Sequence, residues 1–430
     1  VSAFLLYRSS DLILSMALAM TMVSCGSSKK VQGGVKGMES MEATKSEEAM
    51  DEGYLILSDE QRSIVDKNNG FALNLFHEIS GFDSKVVSPM SISYLMGMLA
   101  NGADGQTREE ILKTIGCEGV SVEDLNALYK MMLQKANSLD KQTTVNIANY
   151  IALNKQYQLK NTFAGIMKND YQAGVENLDF ASSASVKHIN QWCSKQTNGM
   201  IPSIISQLDA NAVSCIMNAI YFKGTWTDKF DKKNTKLEAF QGYTRDIKKA
   251  QMMHRQAKYQ YADGAGYSAV CIPYGNRSYE MVVLLPNQGS SIDEMMKKVD
   301  VKSLAELRGK MDECMVDLKL PRFSTELSLP LNDIISKLGA PSMFGGNANF
   351  SNFATGSLSI SKMLQKAKIE VSEEGTKAAA VTAAIMTMSL QHPDEPRRVD
   401  FHADRPFVYM ITEANTGAIL FMGQFTGSEL

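Results

Sequence analysis

Glu373-Glu374-Gly375-Thr376-Lys377-Ala378-Ala379-Ala380-Val381-Thr382-Ala383-Ala384-Ile385-Met386-Thr387-Met388-Ser389-Leu390 is the stretch on which the reading of this chain turns. By intrinsic propensity, residues 377–384 could be an alanine-rich surface helix. With a period of two they read differently. Thr376, Ala378, Ala380, Thr382 and Ala384 fall on one face, small enough to slide over a packed core. Lys377, Ala379, Val381, Ala383 and Ile385 take the other face, which a helix can cover. The same residues can therefore be a solvated loop or a buried strand at modest steric cost. Gly375 supplies a permissive pivot where such a loop would fold over.

Upstream, Leu364-Gln365-Lys366-Ala367-Lys368-Ile369-Glu370-Val371 alternates as a half-buried strand should. Downstream, Pro393 and Pro396 interrupt any regular element. Residues 399–407 and 408–425 then return to strand-like apolar content. A strand, a loop and further strands is the order that insertion of the loop as a strand would need. Earlier in the chain, Ile64, Phe71, Leu75 and Ile79 recur at helical spacing, and residues 91–100 predict another apolar helix. Residues 282–286 and 418–422 are short buried-strand runs. With helices early and strands late, the fold class expected is α+β rather than a doubly wound sheet.

The 430 residues are 44% hydrophobic, enough for a large core, and from about residue 58 onward no second linker or internal repeat interrupts the pattern. One large domain, 58–430, is expected. With 44 basic and 47 acidic side chains the net charge is −3, which leaves no broad basic field and makes nucleic acid an unexpected partner. The six cysteines, Cys25, Cys117, Cys193, Cys215, Cys271 and Cys314, show neither C-x-x-C spacing nor a dense framework, so zinc and disulfide scaffolds are not suggested. The five besides Cys25 read as small core hydrophobes. The five histidines, His77, His188, His254, His392 and His402, form no H-E-x-x-H. A G-x-S-x-G elbow, a P-loop and a G-x-G-x-x-G turn are also missing. Catalytic triads are spatial rather than sequential, yet the expectation is a protein that is not an enzyme and uses no cofactor or metal.

Near the start lie Arg8, an apolar run over residues 12–23, and Met22-Val23-Ser24-Cys25-Gly26. These are the parts of an export signal, and the run is short for a membrane span. The Val-Ser-Cys-Gly ending resembles the bacterial lipobox, in which the cysteine becomes the acylated first residue. Met22 stands where that motif usually has Leu. Residues 1–24 are then a lipoprotein signal peptide and Cys25 the lipid attachment, with the membrane touched only through that anchor. The protein is expected in the cell envelope, in the periplasm or at the cell surface; with a plain signal cut nearby it would be secreted. The composition from Gly26 to Gly53, rich in Ser, Lys, Gly, Glu and Met, reads as a flexible tether, placed at 25–57.

Glu373-Glu374-Gly375-Thr376 followed by small residues resembles the hinge of the reactive-centre loop of the serpins, a family of serine and cysteine protease inhibitors. Phe401-His402-Ala403-Asp404-Arg405-Pro406-Phe407, with Phe421-Met422-Gly423, resembles their C-terminal signature. In family order, Ser88-Pro89-Met90-Ser91-Ile92 resembles the start of helix B, and Asn218-Ala219-Ile220-Tyr221-Phe222-Lys223-Gly224-Thr225-Trp226 the strand reaching the breach. Leu320-Pro321-Arg322-Phe323 and Leu338-Gly339-Ala340 also fit, so the resemblance runs from about residue 58 to Gly423.

The resemblance implies three β-sheets, about eight or nine helices and an exposed loop near 373–398. It also implies a suicide-substrate inhibitor: a protease forms an acyl-enzyme on the loop, and the cut loop inserts into sheet A. In the family about fourteen residues separate hinge glycine from cut bond, a travel of roughly 45 Å at strand rise. That count places the reactive bond at Ser389-Leu390, with Met388-Ser389 as the alternative. The Met-Thr-Met-Ser approach suits elastase-, chymotrypsin-, subtilisin- or papain-like enzymes; Arg397 and Arg398 would suit a trypsin-like one. By the same resemblance Glu373, Glu374, Gly375, Thr376, Ala378 and Ala380 form the hinge. Ser88, Ser91 and Asn218 form a shutter under the sheet, and Trp226 packs at the breach. Arg322 pairs with Glu373, worth under ~1 kcal/mol if exposed. Gln365 stands where many serpins carry a shutter histidine, while Lys377 and Val381 replace a usual acidic residue and a usual alanine. A monomer is expected, with a covalently trapped protease as partner. A non-inhibitory serpin acting as a binding or chaperone-like protein is the alternative, and the small uncharged inward positions favour the inhibitor.

Overall fold

Ser58 begins the first helix with a capping box: its hydroxyl accepts the Gln61 N–H, and Gln61 Oε1 accepts the Ser58 N–H. The structure is a computed structural model and describes residues 54–376 and 396–430. Just ahead of the cap, Leu55 and Leu57 are buried, and the Leu55 carbonyl accepts from Asn415. The packed body therefore reaches back into what composition alone assigns to the tether, because two leucines in a polar stretch carry no period.

Nine α-helices and fifteen strands follow among the described residues. The first half runs α1 (Asp59–Ile79), β1 (Lys85–Val87), α2 (Pro89–Gly102), α3 (Gly105–Thr114), α4 (Val122–Lys135), β2 (Thr143–Asn154), α5 (Asn161–Asp170), β3 (Gly174–Leu178), α6 (Ser183–Gln196) and β4 (Ser214–Thr225). The second continues β5 (Lys236–Gln241), β6 (Ile247–Asp263), β7 (Tyr267–Tyr274), β8 (Tyr279–Pro286), α7 (Ile292–Met296), α8 (Val301–Gly309), β9 (Asp312–Pro321), β10 (Phe323–Pro330) and α9 (Asn332–Leu338). It ends β11 (Lys362–Ser372), β12 (Gly375–Thr376), β13 (Arg398–His402), β14 (Phe407–Glu413) and β15 (Ile419–Phe425). Ser88 caps α2, Pro89 fills its first turn, and every α2 residue but Asn101 is buried, as an apolar helix without a polar face requires.

The class is α+β. One sheet has six strands in the order β10-β11-β12-β4-β2-β3; the other has nine, β1-β15-β14-β8-β7-β6-β9-β13, with β5 alongside β6. Three sheets are expected from the resemblance; hydrogen bonds join the described strands in two networks. The reason is β6, whose 17 residues pair first with β5, then β9, then β7, fusing parts that shorter strands would keep separate.

Both faces of the six-stranded sheet are covered at its centre. Ile216, Ile220 and Phe222 of β4 enter the main core. Cys215, Met217 and Ala219 face the other way and pack with Ile189 and Cys193 of α6. Trp192 of that helix lies 4.7 Å from the Tyr150 ring of β2. The five described cysteines are free thiols and all are buried. Among the described residues no helix is long and apolar enough to cross a membrane.

Candidate functional site

Two neighbouring strands of the six-stranded sheet are held together at one end and apart at the other. β11 and β4 run parallel and pair directly from Lys362 opposite Cys215 to Lys368 opposite Tyr221. Beyond that they part, and β12 lies between them. Thr376 is opposite Val371 on one side and Gly224 on the other; Gly375 is opposite Ser372 and Thr225. The chain thus turns back at Glu373 and Glu374 and begins a further antiparallel strand inside its own sheet.

Only glycine fits at the turn into this strand. Gly375 has φ +133°, and a Cβ there would lie 2.1 Å from the Gly224 carbonyl oxygen and 2.7 Å from the Thr225 Cα. Thr376 is fully buried, its hydroxyl 2.8 Å from that of Tyr274. It faces the core, the side that the small residues of its row would also take in a continued strand.

The turn is clamped from outside. Trp226 stacks on Tyr274 at 4.4 Å and 13°, and its indole N–H donates to the Ser372 carbonyl at 2.8 Å. The backbone N–H groups of Trp226 and Phe230 donate to the carbonyls of Glu374 and Glu373. Glu374 pairs with Lys229 at 2.8 Å and Lys232 at 3.6 Å, and Lys229 foremost holds its carboxyl below the ordinary range.

Glu373 is 2% exposed and accepts from the Arg322 guanidinium and, at 2.7 Å, from the Thr235 hydroxyl. Burial pushes its carboxyl up, but the hydrogen bonds from Arg322 and Thr235 outweigh that and leave it below its ordinary value. The expected Arg322–Glu373 pair exists, with a difference. Arg322 is half-exposed but Glu373 is not, so breaking the pair would strand a buried carboxylate. Lys229, Lys232 and Thr235 come from the segment after Trp226 and carry no sequence signal for this role.

Farther along the same two strands, where they are still paired, a polar row crosses the buried face. Gln365, Asn218 and Asn149 stand opposite one another on β11, β4 and β2. Gln365 Nε2 donates to Asn218 Oδ1 at 2.8 Å and to the Ser88 carbonyl at 3.0 Å, and its Oε1 accepts the Ser88 N–H at 2.8 Å. Asn218 Nδ2 donates to Asn149 Oδ1 at 2.9 Å. The Ser88 hydroxyl donates to the Leu420 carbonyl at 2.6 Å and lies 3.1 Å from that of Ser91. All five side chains are buried, so the row ties the strands to the start of α2 through uncharged groups. Asn149 is absent from the sequence reading; a lone amide amid Ile147, Ala148, Tyr150 and Ile151 was its available signal. Ala378, Ala380, Met388, Ser389, Leu390 and Cys25 lie outside the described residues.

Comparison with known proteins gives this architecture a class. The family model for "Serpin (serine protease inhibitor)" matches residues 66–427. The chain is 33% identical over 375 residues to serpin B6 of Pongo abelii, covering 84% of this chain and 99% of that one. It is 32% identical over 376 residues to leukocyte elastase inhibitor of Homo sapiens, covering 84% and 98%. The structure of Tengpin, a thermophilic serpin in the native state, matches with a TM-score of 0.78 at 26% identity, over 87% of this chain and 96% of that one. The chain belongs to the serpin family.

Proposed function

We propose that the protein inhibits serine endopeptidases, and cysteine endopeptidases by the same route, as a single-use substrate. The observation that carries this reading is β12: two residues already seated between β11 and β4 at the end of the sheet where those strands have separated. The chain's own part is mechanical and it supplies no catalytic group. The protease nucleophile attacks the carbonyl carbon before the cut bond and expels the amine of the next residue. An ester or thioester then joins enzyme to loop. In this reading Ser389 carries the acyl bond and Leu390 leaves, with Met388-Ser389 the alternative. The freed limb extends the strand that Gly375 and Thr376 begin, drawing the protease with it. A protease turning over at about 10 s⁻¹ leaves on the order of 0.1 s before water releases it.

The Val-Ser-Cys-Gly sequence ending a short apolar run supports a further part of the proposal. A monomer is held to the bacterial envelope by a lipid on Cys25, with its loop free to meet proteases outside. Incubation with a panel of serine and cysteine proteases, followed by denaturing electrophoresis, tests the inhibitor reading. A complex that survives denaturation is expected, and mass spectrometry of it locates the cut. Clean loop cleavage with no complex would overturn inhibition in favour of a non-inhibitory binding protein; indifference to every protease would reopen an enzymatic role.

A further inference from the structure

On another face of the molecule β6, β9 and β13 lie side by side and gather four side chains, of which only Asp400 and His402 are near one another in sequence. Asp317 of β9 is opposite Gln256 of β6 and Asp400 of β13. Two residues along, Lys319 stands between His254 and His402. Both imidazoles lean towards the same carboxylate: His254 Nε2 is 2.5 Å from Asp317 Oδ1, and His402 Nε2 is 3.2 Å from Asp317 Oδ2. Ligand atoms of Asp317, Asp400 and His402 all lie within 4.8 Å of one another. The cation that would oppose a metal is drawn aside, since Lys319 Nζ pairs with Glu238 of β5 at 2.7 Å.

We propose that this face binds a divalent transition metal, zinc being the best fit, through Nε2 of His254 and His402 and carboxylate oxygens of Asp317 and Asp400. Two imidazoles and two carboxylates match the nitrogen and oxygen donors of four-coordinate zinc, whereas calcium and magnesium take oxygen alone. Ligand atoms about 2.1 Å from a tetrahedral centre stand about 3.4 Å apart. Three of the donors, on Asp317, Asp400 and His402, already lie within 4.8 Å of one another; His254 Nε2, 2.5 Å from Asp317 Oδ1, stands outside that trio and would have to turn in to supply the fourth. His254, Asp317 and His402 are each about one-third exposed, which leaves an entry path. The site would also act on the fold. Among the described residues β13, of five residues, pairs only with β9 and stands at the end of its sheet. It leads directly out of the segment after the reactive loop, and a bound metal would tie it by side chains across β9 to β6.

The test uses the whole protein after chelator treatment, titrated with zinc chloride by calorimetry and with cobalt(II) chloride by visible absorption. One metal per chain and cobalt bands of a tetrahedral site are expected. His254→Ala and His402→Ala should each weaken binding by more than the roughly 10–100-fold that loss of an outer-shell partner costs. His188→Ala, whose histidine pairs with Glu176 elsewhere, should bind as the parent does. Zinc should also slow amide exchange over residues 398–402. If His402→Ala does not fold, His402→Gln reads the same loss in a shape closer to the parent. The proposal falls if uptake does not saturate, if both histidine variants bind zinc unchanged, or if His188→Ala loses binding equally. A thermal stability that follows pH and ignores zinc would make the group a proton-linked ion triad instead.

Discussion

A single added carbon decides whether the hinge can sit where it does. In Gly375→Ala the methyl would overlap the Gly224 carbonyl and occupy a backbone angle that L-residues avoid, a strain of about 1–3 kcal/mol before the clash is counted. The residue must leave the gap, and the rest of the loop cannot follow it in that register. The body should still fold, because the Lys362–Lys368 ladder with β4 lies below. The variant is expected to be cut by the target protease without forming a denaturation-resistant complex; complex at the parent's yield and stoichiometry would contradict this. Glu373 makes a charge-dependent prediction at the same turn. Its folded-state carboxyl titrates below the ordinary 4.5. The stability it adds is therefore fully present above about pH 4.5 and is lost as pH falls through the lowered folded-state value. At pH 7 Glu373→Gln should cost about 1 kcal/mol, a small figure because Arg322 is half-exposed. Melting curves of parent and variant should converge below pH 4.5. A gap constant with pH would assign the loss to shape rather than charge.

Strands and helices were legible here wherever a period could speak. The alternation over Leu364 to Val371 lies within β11, and the apolar spacing from Ile64 to Ile79 lies within α1. Even the inward side of Thr376 followed from a count of two. The depth to which the hinge enters the sheet did not, because it balances a ladder between distant strands against a clamp from residues 226–235. The His254, Asp317 and His402 cluster was equally hidden, since only the strand order β6-β9-β13 assembles it. Strand register, once seen, reaches farther than the sequence. Continuing the pairing of Gly375 and Thr376 residue by residue brings Thr382 between Gln365 and Asn218. An inserting strand must therefore replace the 2.8 Å hydrogen bond joining those two amides. Gln365→Leu keeps the volume but leaves the Ser88 N–H and Asn218 Oδ1 without their partner in the core. Uncleaved protein should lose about 1–3 kcal/mol, read as a lower Tm. Thr382→Val removes the hydroxyl that would bridge the row after insertion, so it should shrink the Tm gain on loop cleavage. An unaltered gain would mean that the strand enters in another register or not at all.

At the scale of the molecule, β12 fills only two residues of the space between β11 and β4, which pair directly from Lys362 to Lys368, and in the inhibitor reading the strand not yet inserted is stored stability. Carried on from Thr376, the register reaches Ile385 opposite Lys362 and Cys215, where the present ladder starts. Full entry dissolves one ladder and forms two. The net change is about ten backbone hydrogen bonds at about 1 kcal/mol each, on the order of 10 kcal/mol. The outward residues must pass beneath α6, where Leu364, Met217, Ile189 and Cys193 already pack. Alanine at 379 and 383 is what lets a strand through with little displacement. At about 2 °C of Tm per kcal/mol in a chain of this size, cleavage should raise the melting temperature by roughly 20 °C. The measurement is calorimetry before and after limited proteolysis confined to residues 377–395, with mass spectrometry confirming a single cut. The gain should precede any contact with a target enzyme, because it belongs to the sheet and not to the complex. A cleaved protein melting where the intact one does would show that the gap between β11 and β4 closes on two residues and admits no more. The fold and the family would stand, and the inhibitor reading would fall.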